Sequence, residues 1–166
     1  MNTFVLAFSG SIGSGKTTIT EAVAKSLGWK LASFGRVVRK EARQRGLDPE
    51  SRETLQLLGS ELIEEGWEGF CQAVLVDAGW KQGEGLLVDG IRHIEALEML
   101  RILVQPLRLF LIHVHVKACM REKRLFNRNG YTKQDIYEMD RHKCIIRAMP
   151  TTDSDGCRPP VPSDAV

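Results

Sequence analysis

The sequence predicts an α/β fold of three layers, a parallel sheet with helices on both faces. Two observations carry the prediction. Short apolar runs alternate with segments of helical period along most of the chain, the pattern of strand–helix–strand crossovers. The first run, residues 3–8, passes directly into a glycine-rich loop and then a helix, and it has the composition of a buried parallel strand.

The elements follow in order. Thr17 to Leu27 reads as a helix with Ile19, Ala22, Val23 and Leu27 on one stripe and Gly28 as its stop. Residues 29–34 form a short second strand with a turn at Gly35. A helix then runs from Arg36 to Arg45 and stops at Gly46. Asp48 is placed to cap the next helix, with Pro49 at its first position. Leu55, Leu58, Leu62 and Ile63 supply its stripe. Gly66 to Gly69 interrupts, and Phe70 to Ala78 is helical again.

Leu86 to Asp89 is an apolar strand ending in a carboxylate. Glu95 to Leu103 is a helix, broken by Gln105-Pro106. Residues 107–116 are the longest strand candidate, with Leu109, Leu111, His113 and His115 alternating against Phe110, Ile112, Val114 and Val116. Lys117 to Asn127 is a helix, residues 128–130 a turn, and residues 132–147 a further helix. Beyond Met149 the chain is polar, rich in proline and without period, so residues 149–166 are expected to be a disordered tail. Residues 1–148 then form one domain.

Length and composition agree with that reading. A chain of 166 residues fits one domain with a single core. Hydrophobic residues make up 43% and charged residues 27%, ordinary for a globular protein. A net charge of +2 gives no indication of a nucleic-acid or membrane partner. The four cysteines, Cys71, Cys119, Cys144 and Cys157, lack C-x-x-C spacing, which argues against zinc and for reduced thiols. No apolar run reaches membrane-spanning length, and no basic-then-apolar leader precedes the first strand. A cytoplasmic location is expected.

The chemistry starts at Gly10-Ser11-Ile12-Gly13-Ser14-Gly15-Lys16-Thr17, which fits G-x-x-x-x-G-K-[ST]. Glycines let the backbone approach an oxyanion, and successive N–H groups converge on phosphates at a helix N-terminus. Lys16 reaches the β- and γ-phosphates in this motif, and the Thr17 hydroxyl serves Mg²⁺. Thr18 follows in the first turn of the helix. The order strand, loop, helix is the context the motif requires.

Asp89 ends a sheet strand at its carboxyl end, where ligands bind in α/β folds. Beside a phosphate loop it is expected to serve Mg²⁺, against the alternative of an ordinary strand-ending turn. Arg36, Arg39, Arg92, Arg121, Arg124 and Arg128 cluster after strand ends or at helix openings, as an anionic pair of substrates requires. Arg124 and Arg128 are one helical turn apart. His113 and His115 share a strand face. No third ligand is apparent, so hydrogen-bonded histidines are preferred over a metal pair. Trp67, Phe70 and Trp80 read as packing residues.

Residues 3–147 resemble small P-loop kinases of the nucleoside monophosphate kinase type, adenylate and cytidylate kinase-like. Gly10 to Thr17 carries most of the resemblance. Phe34-Gly35-Arg36-Val37-Val38-Arg39 is similar to the Thr-Gly-Asp-x-x-Arg segment that opens the acceptor helices, with Arg36 where that family has Asp. Asp89-Gly90-Ile91-Arg92 is similar to Asp-Gly-Phe-Pro-Arg with one residue fewer. Arg124-Leu125-Phe126-Asn127-Arg128 is similar to the Arg-x-x-x-Arg that opens the lid.

The resemblance implies a P-loop NTPase fold with an acceptor-binding helical insert at about residues 35–80 and a short lid at about residues 121–134. It implies ATP and Mg²⁺ as cofactors and a small phosphorylated acceptor as partner, with neither nucleic acid nor membrane, in a monomer or homodimer. Residues 10–18 would hold the nucleotide, Thr17 and Asp89 the metal, and Arg39, Arg92 and Arg36 the acceptor. Lys16, Arg124 and Arg128 would act on the transferring group. The loop is also close to that of dephospho-coenzyme A kinases, although no carboxylate base follows the second strand. An ATP-binding regulatory module is a third reading. The family continues beyond the lid helix into a last core strand and an adenine loop, a pattern from which residues 151–166 depart.

Overall fold

The computed structural model describes residues 3–129, 131–132 and 134–136, without the side chains of Arg128 and Asn129. The elements in chain order are β1 (Val5–Ser9), α1 (Lys16–Leu27), β2 (Lys30–Ser33), α2 (Phe34–Gln44) and α3 (Arg52–Glu65). They continue with α4 (Trp67–Asp77), β3 (Leu86–Asp89), α5 (Ile94–Leu103), β4 (Leu109–His113) and α6 (Ala118–Asn129).

The strands form one parallel sheet in the order β2-β3-β1-β4. Alternation along each strand sorts the core into two faces. Val5, Ala7, Ala32, Leu86 and Val88 pack with α2, α4 and α5 on one side. Phe8 and Leu87 pack with Ala24 of α1 on the other, with Leu6, Leu31 and Val23 beside them. This is the expected three-layer α/β arrangement. In register, Phe8 lies opposite Asp89, and Ser9 opposite His113, so β1, β3 and β4 end at one level.

Local signals place the helices. Ser33 accepts from the Arg36 backbone N–H and caps α2, so the helix starts at Phe34, two residues earlier than expected. Phe34, Val38 and Ala42 recur every four residues and form its buried face. Phe34 meets Phe70 of α4 edge to face, centroids 5.1 Å apart, a geometry that adds about 1 kcal/mol to burial alone. The helical segment α2 to α4 is therefore knitted into the main core rather than hung from it.

Several expectations are corrected. The buried residues of α1 are Thr20 and Ala24, while Ile19 and Leu27 are 43% and 44% exposed. The loop fixes where α1 starts and which face meets β3, and the Thr20 hydroxyl fits that face by donating to the Lys16 carbonyl at 2.8 Å. Asp48 does not cap α3. Its carboxylate accepts from the Glu50 N–H in a turn, and Ser51 caps instead. The α4 helix starts at Trp67 rather than Phe70.

β4 covers Leu109–His113, so His115 lies beyond the strand. Arg128 and Asn129 continue α6 instead of turning. Residues 134–136 are helical after Thr132, whose amide and hydroxyl both donate to Asp135 at 2.7 Å. The remainder of the helix expected to reach residue 147 and the tail expected after residue 149 lie outside the described residues.

Candidate nucleotide site

The glycine-rich loop joins β1 to α1 at the carboxyl edge of the sheet. Gly10 has φ +147°, and a Cβ there would stand 2.5 Å from the Val114 carbonyl oxygen. Gly13 has φ +81°, and its Cβ would stand 2.8 Å from Leu125 Cγ. Glycine at these two positions is thus required by both conformation and space. Gly15, in the left-handed region, stands at the N-cap of α1 with no side chain in the way of the helix's first N–H groups.

A cleft of about 490 Å³ opens at this point. Its walls are Ser11, Gly13, Ser14, Gly15, Lys16, Thr17, Thr18 and Ile19 from the loop and α1, with Arg124 and Leu125 from α6. Between Ser11 and Gly13, the Ile12 carbonyl oxygen accepts from Arg121 Nε at 2.7 Å. Arg124 donates to the Ser14 carbonyl at 3.1 Å.

Thr17, which lines the cleft, meets Asp89 at the end of β3. The Thr17 hydroxyl donates to Asp89 Oδ2 at 3.0 Å. Asp89 Oδ1 and Ser14 Oγ are buried and have no hydrogen-bond partner among the described residues. A buried carboxylate oxygen left open beside a hydroxyl is the donor set a hard cation takes. The residues therefore fit Mg²⁺. No group of three or more His, Cys, Asp or Glu that could hold a metal ion gathers among the described residues.

The other candidates are dispersed. Arg36 is held away from the cleft by Asp77 of α4, with Nε 2.6 Å from Oδ2, and it also donates to the Leu31 carbonyl at 3.0 Å. Lys40 joins the same carboxylate at 3.1 Å. Burial raises the Asp77 pKa, but the hydrogen bonds from Arg36 and Lys40 outweigh it, so the net shift is downward. In this arrangement Arg36, for which an acceptor role is expected, ties α2 to α4. Arg39 is exposed and donates to the Gly35 carbonyl of its own helix at 3.2 Å. Arg92 is exposed in the loop after β3. Neither lines the cleft. The side chain of Arg128 lies outside the described residues.

Beside Arg92, His93 stands 5.1 Å from the Trp67 ring, centroid to centroid. Burial lowers its pKa; Glu95 opposes that and Arg92 reinforces it. His113 Nδ1 lies 2.9 Å from Ser9 Oγ, a hydrogen-bonded histidine as preferred. Trp67 and Trp80 pack against the larger core cluster, and Phe70 belongs to it. Arg121 is the residue whose role the sequence left open. Its place among the arginines at helix openings is the signal the sequence carries.

Fold and loop together define a P-loop NTPase fold of the three-layer α/β type. Residues 9–143 match a family model described as the AAA domain, and the chain belongs to that family. A UPF0200 protein of Aeropyrum pernix is 31% identical over 140 residues, spanning 83% of this chain and 73% of that one. A UPF0200 protein of Pyrobaculum aerophilum is 36% identical over 124 residues, 75% of this chain and 66% of that one. In structure, the chain is similar to a gluconokinase of Sinorhizobium meliloti, with a TM-score of 0.52 at 14% identity over 86% of this chain and 75% of the other. A sugar kinase of Janibacter sp. has a TM-score of 0.52 at 19% identity over 92% and 82%. At such identities the likeness is one of fold. No helix among the described residues is long and apolar enough to cross a membrane.

Proposed function

We propose that the protein transfers the γ-phosphoryl group of ATP, with Mg²⁺, to a small phosphorylated acceptor, a nucleoside monophosphate being the leading choice. The observation that carries the proposal is the pairing of Thr17 with Asp89 beside a phosphate loop whose cleft Arg124 also lines. A hydroxyl and a half-satisfied carboxylate at the end of β3 are what a metal-assisted phosphoryl transfer needs from the protein.

In this reading the loop N–H groups and the N-terminus of α1 hold the phosphate chain. Lys16 neutralises charge on the transferring group. Thr17 and Asp89 hold Mg²⁺, directly or through water, which when bound offsets charge on the phosphate oxygens. Arg124 moves from the Ser14 carbonyl onto the nucleotide, and Arg128 follows it on the same helix. Arg39 and Arg92 hold the acceptor's phosphate. An acceptor phosphate oxygen is already anionic, so positioning and charge supply most of the rate and no strong base is needed.

A hydroxyl acceptor is the second reading. It is favoured by the structural likeness to a gluconokinase and a sugar kinase and by the resemblance of the loop to dephospho-coenzyme A kinases. It requires a base, and β2 leads into Phe34-Gly35-Arg36 without one. A panel decides. Mg-ATP is offered with ribo- and deoxynucleoside monophosphates, gluconate and dephospho-coenzyme A, and ADP is measured. Stimulation by one monophosphate supports the first reading, and stimulation by a hydroxyl acceptor alone supports the second. Binding of ATP that no acceptor turns into ADP leaves a regulatory module.

A further inference from the structure

We propose that Arg121 is a positioning residue, which by holding the Ile12 carbonyl presets the Ile12–Gly13 peptide for phosphate binding and makes the P-loop and α6 one cooperative unit. The proposal rests on the reading that the loop binds a nucleotide. It concerns a residue outside the four motifs that carry the kinase resemblance.

Arg121 is 7% exposed, on a helix whose Met120 is 48% exposed and Phe126 66%. Arginine is seldom so buried unless it is paired. Its Nε donates to the Ile12 carbonyl at 2.7 Å, within the range of charge-assisted bonds. One turn later on the same face, Arg124 donates to the Ser14 carbonyl, and Leu125 packs over Gly13 where a Cβ would find no room. Three side chains of α6 thus grip three successive loop residues.

The peptide unit turns this grip into a functional statement. A trans peptide is planar, so its N–H points opposite to its C=O. With the Ile12 carbonyl fixed toward Arg121, the Gly13 N–H is fixed in the opposite sense, away from α6's anchor. Gly13 lines the cleft, and glycine could otherwise let that peptide rotate at little cost. A rotated peptide would present a carbonyl dipole to a phosphate, which repels it. Arg121 holds the loop in the donor orientation before any phosphate arrives, so less ordering remains for binding.

The test compares wild type, Arg121→Gln and Arg121→Lys. Glutamine keeps a polar end but is too short to span the same gap, and lysine keeps one charged donor. Hydrogen exchange is followed in the ligand-free protein, and Mg-ATP is titrated calorimetrically. We expect R121Q to raise exchange at residues 10–17 and in α6 together, by tenfold or more, with α2 to α5 unchanged. Mg-ATP affinity falls about tenfold, and R121K recovers most of both effects. Unchanged exchange at residues 10–17, or loosening spread evenly over the sheet, overturns the proposal.

If no variant, wild type included, binds Mg-ATP while R121Q still loosens loop and helix together, the coupling stands and the nucleotide reading falls. Should R121Q not fold, wild type alone carries the test. Native-state exchange in rising denaturant should then show residues 10–17 and α6 opening with one free energy and one denaturant slope. Separate openings overturn the coupling.

Discussion

The Thr17 hydroxyl donates to Asp89 Oδ2 at 3.0 Å, joining residues 72 positions apart in the chain, the first of which lines the cleft. The contact exists because β1 and β3 are parallel neighbours, with Phe8 in register with Asp89. A parallel sheet brings the start of α1 and the end of β3 to one edge.

Asp89→Asn should keep the fold and the bond from Thr17 while removing the negative charge that attracts Mg²⁺. We expect turnover to fall by about 10²-fold, the loss typical of removing one electrostatic group from the site, and the Mg²⁺ concentration for half-maximal rate to rise. Steady-state rates across a Mg²⁺ titration check this. A rate unchanged at every Mg²⁺ concentration removes Asp89 from the site.

Gly13→Val should destabilise the protein by about 1–3 kcal/mol, since it adds bulk against a packed leucine at an unfavourable φ. Leu125 stands 2.8–3.2 Å from the Cβ position. Denaturant melts measure the change, and a paired Leu125→Ala should relieve part of it. No relief would show that the strain is in the backbone alone.

Arg92→Ala should raise the Michaelis constant for the acceptor about tenfold, the worth of one charge-assisted contact, and leave that for ATP nearly unchanged. Arg92 does not line the nucleotide cleft, so an effect confined to ATP contradicts its assignment.

Asp77→Asn should cost about 1 kcal/mol at neutral pH, a modest figure because Arg36 and Lys40 are half exposed and solvent screens them. The folded pKa of Asp77 lies below 3.8, so its contribution is present in full above 3.8 and is lost as pH falls through the lowered value. Melts from pH 7 to pH 2 should show wild type and variant converging in acid. A gap that stays constant would mean that the tie works through packing and not charge.

Cys71 should resist alkylation in the native protein at pH 8, because burial pushes its thiol up to about 12 and leaves little thiolate. Exposed Cys119 should react. Peptide mapping after iodoacetamide treatment, native against unfolded, reads both. Native labelling of Cys71 would show that the α4–α5 layer opens readily.

Much of this was legible in the sequence, and the boundary has physical causes. The loop announced itself because a phosphate cradle needs glycine at fixed spacings. The Leu86–Asp89 strand was found to the residue because a buried parallel strand is apolar throughout and ends where the chain must turn. The buried face of α1 was missed because Thr20 looks polar, yet it satisfies its hydroxyl on the preceding turn. The α3 cap was misplaced because Asp48-Pro49 and Ser51 both carry cap signals, and only the turn closed by Asp48 decides between them. Arg36 and Arg121 look alike as sequence. One is tied to Asp77 and the other to the Ile12 carbonyl, and both partners are distant in the chain.

Following the γ-phosphoryl group distinguishes transfer from hydrolysis. ATP labelled in that group is incubated with Mg²⁺ and the acceptor that stimulates ADP release, and the products are separated by mass. Transfer puts the label on the acceptor in step with ADP, and Lys16→Ala loses both. Label appearing only as inorganic phosphate would instead show hydrolysis.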